Sequence, residues 1–388
     1  MQGAGRAGDA ATHPLDGILV IELGTMITAP LAGMMLADLG ARVIKVEHPK
    51  GGDPFRAYRG DLYSPHFSAY NRNKESIQLD LQTEAGQDKL HRLIRHADVL
   101  LDNYRPGVLD RLRLDEATLE QLNPRLIRCS ITGFGEDGPY RDRPAYDSVG
   151  IAMSGLASLL LDPERPDAAG PTIADNVTGM YACYGILGAL VGRATSGKGA
   201  RVCASMLEST ISFIPDTFSN FTRLGIVGDR HTRVATSQSY ALACADGRMV
   251  AVHLSSPEKF WKGLLVAIER PDLGNDERFR TRDARVVNYA ALKAELAEAF
   301  RTQPRVEWCR RLELQDVPHA PIWSVPEVIG DPQVRHLGTF YAMQHPTEGA
   351  ITGIQRPVVI DGQRGPNRMA APTLGEHTAA IFREFDLD

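Results

Sequence analysis

The chain has 388 residues, 43% hydrophobic and 23% charged, with a net charge of −5 and a pI of about 6.1. Domains commonly hold about 100–200 residues, so two are expected, with apolar content enough for a sizeable core. The acidic balance argues against nucleic acid as a partner, while leaving room for local basic residues around a phosphorylated small molecule.

The elements alternate from the start. Residues 1–14 are rich in Gly, Ala and Asp and are expected to form a disordered tail, neither signal peptide nor anchor. Ile18–Leu23 reads as a buried strand, Ala29–Leu39 as a helix closed by Gly40, and Val43–Val46 as the next strand. Further strands are predicted at Ile77–Leu81, Val99–Asn103 and Leu126–Ile131, with helices at Ala85–His96 and Asp115–Leu122. Apolar strands alternating with helices call for a parallel sheet covered on both faces, an open α/β layout of Rossmann-like type. The turn after the first strand, Gly24 to Pro30, lacks the GxGxxG spacing of a dinucleotide site.

Asp175–Arg193 is the clearest helix, with Asp175 where an N-cap belongs, and Arg201–Met206 reads as a strand. Phe213–Arg233 carries no strand signal. Tyr240–Ala243 and Met249–His253 flank an Asp246-Gly247 turn, followed by helices at Pro257–Ala267, Tyr289–Phe300 and Arg305–Gln315. The expected division is a large Rossmann-like domain over residues 15–206, a linker 207–233, a small α/β domain 234–304, a linker 305–331, and a last segment, 332–388, rich in Pro and Gly with only short strands. No apolar run reaches the roughly 20 residues of a membrane span. The five cysteines form no CxxC pair, so neither a metal site nor a disulfide framework is predicted, and the chain suits a reducing cytoplasm.

Several short segments, in order, carry a resemblance. They are Leu15-Asp16-Gly17-Ile18; Pro30 through Gly40-Ala41-Arg42-Val43-Ile44-Lys45-Val46-Glu47; Gly52-Asp53; Asn71-Arg72-Asn73-Lys74; and Asp102-Asn103-Tyr104-Arg105-Pro106-Gly107. Ile131-Thr132-Gly133-Phe134-Gly135, Ala174-Asp175 with Gly179, Gly197-Lys198-Gly199, Val317-Pro318, Asp331-Pro332 and Ala371-Pro372 with Gly375-Glu376-His377 follow. From Pro14 to Leu387 the chain resembles the class III CoA-transferases, a family of formyl-CoA transferases, carnitine CoA-transferases and α-methylacyl-CoA racemases. The resemblance implies that residues 332–388 return to the large domain, with the small domain inserted between, and that two chains form an interlocked homodimer; coenzyme A, or an acyl-CoA, is the implied substrate, with no permanently bound cofactor.

It also implies roles. Asp175 matches the family's carboxylate nucleophile, whereas local pattern alone makes it a helix cap; the two roles can coexist. Met26, Ile27 and Thr28 match the turn along the thioester, and Met206 matches a further site position. His48 falls where formyl enzymes carry an adenine-contacting Arg. Asn103 and Tyr104 match pantetheine contacts, Arg111 a phosphate contact, and Lys74 is a further phosphate candidate. Tyr146 stands where the racemases carry their His. Tyrosine, with a pKa near 10, is a poor base at neutral pH, so CoA transfer to a small organic acid from an acyl-CoA such as succinyl-CoA is favoured over α-proton exchange. The glycine-rich lid of the formyl enzymes is replaced by Leu254-Ser255-Ser256-Pro257-Glu258-Lys259, and Pro144 replaces their Lys.

Overall fold

The computed structural model describes residues 13–59, 62–168, 170–255, 257–365 and 369–388. The expected tail, apart from His13 and Pro14, and Ser256 of the lid stretch lie outside them. Two compact units are present: one comprises the chain up to Leu156, Gly170–Pro215 and Arg335–Asp388, the other Ala157–Ala169 and Asp216–Val334.

The first unit is built on six strands, β1 (Leu19–Glu22), β2 (Arg42–Glu47), β3 (Lys74–Gln78), β4 (Val99–Asp102), β5 (Ile127–Thr132) and β6 (Ala200–Ser205). They pair in parallel in the order β3-β2-β1-β4-β5-β6. Side chains alternate across the pleat. Val20, Val43, Val99 and Ile127 bury one face against the helices Thr28–Asp38 and Ala174–Ser196. Ile21, Ile44, Ile77 and Leu100 bury the other against Glu84–Ile94 and the C-terminal helix Thr378–Glu384. The helices Thr28–Asp38 and Ala174–Ser196 approach closely because Gly179 has no side chain: a Cβ there would lie 2.7 Å from the Thr28 carbonyl oxygen.

One part of the sheet is not apolar at all. Glu22, Lys45 and Lys74, one from each of β1, β2 and β3, are fully buried. Lys45 Nζ lies 3.0 Å from both Glu22 and Asp53, and Lys74 Nζ lies 2.8 Å from Glu22. The Lys74 ammonium also donates to the Pro30 carbonyl at 2.8 Å and to Asn71 Oδ1 at 2.9 Å. Gly33 makes room for this cluster, since a Cβ there would sit 1.9 Å from Glu22 Oε2. Hydrophobic pattern alone places β3 at Ile77–Leu81. The strand starts instead at Lys74, because ion pairing lets charged residues occupy its buried end.

The second unit has its own core. β7 (Ser239–Ala243), β8 (Met249–His253) and β9 (His319–Pro321) form an antiparallel sheet, with Trp261, Leu264, Leu292, Leu296 and Phe300 packed into the same cluster. Two stretches read as linkers are structured. Residues 207–233 hold most of the helix Met206–Phe213 and all of Pro215–Leu224, whose Phe218, Phe221 and Leu224 are exposed and so give no core periodicity. Residues 305–331 hold the helix Arg305–Leu314, which buries Trp308 and Leu312 in the core of this unit, and β9, which pairs with β8. The C-terminal part of the chain adds to the first unit a hairpin of β10 (Phe340–His345) and β11 (Gly349–Ile354), together with the helix Thr378–Glu384 beside β3. No helix among the described residues is long and apolar enough to cross a membrane.

Removing the shared carboxylate should expose how much the charge cluster matters. Glu22→Gln leaves two buried ammonium groups short of a counter-charge and is expected to lower unfolding free energy by about 3–5 kcal/mol in urea titration near neutral pH. A loss below about 1 kcal/mol, the scale of an exposed pair, would contradict this account.

Candidate active site

In an open parallel sheet, ligands bind beyond the carboxyl ends of the strands where the winding reverses. Here that point lies between β1 and β4, neighbours in the sheet whose connections run to opposite sides. The segments leaving these two strands include the turn Thr25–Thr28 and Asn103-Tyr104. Together with Ile131, Thr132, Gly133, Tyr146, Asp175 and Met206 they line a cavity of about 210 Å³ within the first unit.

Asp175 reaches this cavity from the start of the long helix, though not as its cap. The helix begins at Ala174 with Ile173 as N-cap and no side-chain capping bond, so Asp175 is the second helical residue. Its backbone N–H instead donates to Asp147 Oδ1 at 3.2 Å, so a neighbouring carboxylate serves that amide. No hydrogen bond from the described residues engages the Asp175 carboxylate. Burial and, secondarily, the Asp147 charge push its carboxyl up to about 6. The group is therefore largely ionised at neutral pH and more basic than an ordinary carboxylate. Its helix N-terminus favours that charge.

Most of the residues singled out from the sequence converge. Met26, Ile27, Thr28, Asn103, Tyr104, Tyr146 and Met206 all line the cavity with Asp175. Tyr146 is 64% exposed and precedes the helix Asp147–Met153, so it is no core aromatic. Met206 is buried at the start of Met206–Phe213. Asn103 takes a different part from the pantetheine contact expected of it. Its Oδ1 accepts the Thr25 N–H at 3.0 Å, and its Nδ2 donates to the Thr25 carbonyl at 2.8 Å and the Thr28 hydroxyl at 2.9 Å. The amide is spent on the turn.

Three others lie elsewhere. Lys74 is sealed under the turn by Glu22, Pro30 and Asn71, with its ammonium lowered to about 8 chiefly by burial, so it cannot meet a phosphate arriving from solvent. His48 is a part-buried residue outside the cavity, its Nδ1 accepting from the Lys50 N–H at 3.0 Å. Arg111 is exposed on the short helix Val108–Arg111, also outside it.

Sequence reasoning missed the supports beneath the site. Asp53 Oδ2 accepts the Met26 N–H at 3.1 Å; burial opposes its charge, yet Lys45 and the Phe55 and Met26 amides hold its carboxyl below the ordinary range. Asp102, at the end of β4, accepts from the Tyr104 N–H at 3.0 Å and the Ser130 hydroxyl at 2.8 Å, and burial pushes its carboxyl up to about 7. The available signal was the odd charge in an apolar strand: Glu22, Lys45 and Asp102 each interrupt or close one.

The profile of CoA-transferase family III matches residues 15–378. The acetyl-CoA:oxalate CoA-transferase of Acetobacter aceti is 35% identical over 382 residues, 96% of each chain. The succinate–glutarate CoA-transferase of Agrobacterium fabrum is 33% identical over 392 residues, again 96% of each. A CaiB/BaiF family protein from Brucella suis superposes with a TM-score of 0.87 at 34% identity, covering 97% of this chain and 100% of that one. The cavity at the strand ends thus belongs to an enzyme of CoA-transferase family III.

Proposed function

We propose that the protein moves coenzyme A from an acyl-CoA to a small carboxylic acid through covalent intermediates on Asp175. The observation that carries this reading is the Asp175 carboxylate, basic and without a hydrogen bond from the described residues, in a cavity at the sheet's switch point.

The chemistry balances step by step. The carboxylate attacks the thioester carbonyl, the C–S bond breaks, and CoA thiolate leaves behind a mixed aspartyl anhydride. The thiolate then attacks the aspartyl carbonyl, releasing the donor acid as its carboxylate and forming an aspartyl-CoA thioester. The acceptor carboxylate repeats these steps in reverse, and Asp175 is regenerated. Because the enzyme's group is itself a carboxylic acid, each intermediate lies close in energy to a thioester or an anhydride, provided water is excluded. The relatives' names pair CoA with oxalate or with succinate and glutarate, which supports a small acid as acceptor and is compatible with succinyl-CoA as donor. Nothing in the cavity favours α-proton exchange over transfer. His48 and Arg111, outside the reacting cavity, stay as contacts for the nucleotide end of CoA, and the reading needs no resident cofactor. We place the reaction in the cytoplasm.

A homodimer is part of the same reading. Met180, Tyr184 and Val191 form an exposed apolar stripe at helical spacing on Ala174–Ser196, the helix that carries Asp175. Tyr184→Asp combined with Val191→Asp is expected to shift the sedimenting species from dimer to monomer.

Asp175→Asn is expected to abolish transfer and to lose the acyl-CoA-dependent peptide adduct at position 175 that mass analysis should find in the parent enzyme. The same variant should gain about 1–2 kcal/mol of stability at neutral pH, because it removes a half-buried charge. The sign follows from the raised carboxyl: the folded state holds the extra proton, so stability declines as pH rises from the ordinary carboxylate range through about 6 and is constant above it. Full transfer activity in Asp175→Asn would refute the mechanism. The rate itself should run the other way. With ionised Asp175 as the attacking form, kcat/KM is expected to fall about tenfold per pH unit below about 6 and to level off above.

A further inference from the structure

Between β1 and the helix Thr28–Asp38 the backbone passes through a conformation that L-residues seldom adopt. Met26 has φ of +64°. For a residue with a Cβ this region costs about 1–2 kcal/mol, and glycine would be the unstrained choice. The conformation persists because it is held from several directions. The Met26 N–H donates to both oxygens of Asp53, at 3.1 and 3.2 Å, and the Phe55 N–H donates to Oδ1 at 2.9 Å. Lys45 lies 3.0 Å from Asp53 Oδ2 and also donates to the Gly24 carbonyl at 2.7 Å, so one buried ammonium ties the carboxylate to the start of the turn. From the other side Asn103 bonds both backbone groups of Thr25. The Met26 side chain packs against the Ile27, Phe55 and Phe67 cluster.

Asp53 does not line the cavity and is 1% exposed, yet the segment it holds, Thr25–Thr28, is part of the wall that includes Asp175. Strained backbone of this kind survives where the surroundings over-determine it, and it gathers at functional sites. An amide bonded to an ionised carboxylate is held more tightly than one bonded to a neutral group. A covalent step that needs the thioester carbonyl within about 3–3.5 Å of its nucleophile is sensitive to displacement of such a wall.

We propose that Asp53, charged and backed by Lys45, is a positioning residue for acyl transfer: it fixes Met26 at positive φ and so sets the wall against which the thioester lies beside Asp175. The proposal rests on the reading of Asp175 as nucleophile. On that reading the segment meets the thioester and not the nucleotide end of CoA, so the loss belongs mainly in kcat rather than in KM for acyl-CoA.

The test is a cycle in three backgrounds: parent, Met26→Ala and Met26→Gly. Asp53→Asn keeps the shape and an acceptor oxygen but drops the charge. It is expected to lower kcat about tenfold or more in the parent and in Met26→Ala, where the strain remains, with KM for acyl-CoA changed less than about threefold. In Met26→Gly the turn reaches the same φ without strain, and the further loss from Asp53→Asn should shrink to about threefold or less. Lys45→Gln, which leaves the amides of Met26 and Phe55 on Asp53, should follow the same order and serves if Asp53→Asn folds poorly. Equal losses in all three backgrounds, an unchanged kcat, or an effect confined to KM would overturn the proposal. Asp175→Ala is assayed alongside: activity retained there marks failure of the nucleophile reading, a result distinguishable from equal losses across the backgrounds.

Discussion

The interaction on which the first unit depends is the burial of two lysines under the strand ends. Lys45 and Lys74 lie out of water with Glu22 between them and Asp53 beside the first. Isolated, either ammonium would cost several kcal/mol; with the carboxylates placed around them the cluster is held, and its geometry is demanding. Burial opposes the Lys45 charge, yet Asp53, Glu22 and Glu47 together keep its ammonium above the usual lysine range. Lys74, whose one carboxylate is shared with Lys45, goes the other way. The cluster therefore sets a register. Glu22 of β1 faces Lys45 of β2, and a slip of β2 by one residue would put Lys45 on the opposite face of the sheet, away from Glu22 and in an apolar layer.

The same cluster reaches the site through its edges. Asp53 turns from Lys45 to the Met26 amide, Lys74 holds the Pro30 carbonyl in the first turn of the next helix, and Gly33 lets that helix sit down on Glu22. The wall of the cavity is thus an extension of the charge network rather than a free loop. Beyond Asp53 a second pairing works in parallel: Arg56 grips Glu47 through two bonds of 2.7 Å, with Ser76 on the same carboxylate at 2.6 Å. The segment from 52 to 58 is anchored to β2 and β3 in this way.

Asp175 stands apart from this network, and its chemistry depends on that separation. Lys45 and Lys74 beneath the turn have carboxylate partners of their own, and the charge that raises the Asp175 carboxyl beside burial is another carboxylate, Asp147. A carboxylate beside a lysine, as Asp53 is, is drawn down in basicity. One half-buried with a like charge nearby is drawn up. Asp53 and Asp175 thus sit in opposite electrostatic surroundings.

How much of this could be read beforehand follows the physics of each feature. Strand and helix order was legible because apolar periodicity is a local property: ILVIEL and RVIKVE announce buried parallel strands in a single window. The helix bearing Asp175 followed from the same periodicity, and the grouping of Met26, Ile27, Thr28, Tyr104, Tyr146 and Met206 came from the family resemblance. The partners of Lys74 and Asn103 were not legible, because a polar side chain in sequence does not say whether its partner is solvent, ligand or protein. That is decided by residues far along the chain, Glu22 for the one and Thr25 for the other. Local pattern alone makes Asp175 a cap because helix starts are local, but the cap position is Ile173 and the bond to the Asp175 amide comes from Asp147, 28 residues earlier. By itself the sequence determined the alternation of elements, the absence of a dinucleotide fingerprint and the candidate nucleophile. Only the tertiary structure decided which charges are sealed, which amides are spent and how basic Asp175 is, because burial and partnership arise when distant strands meet.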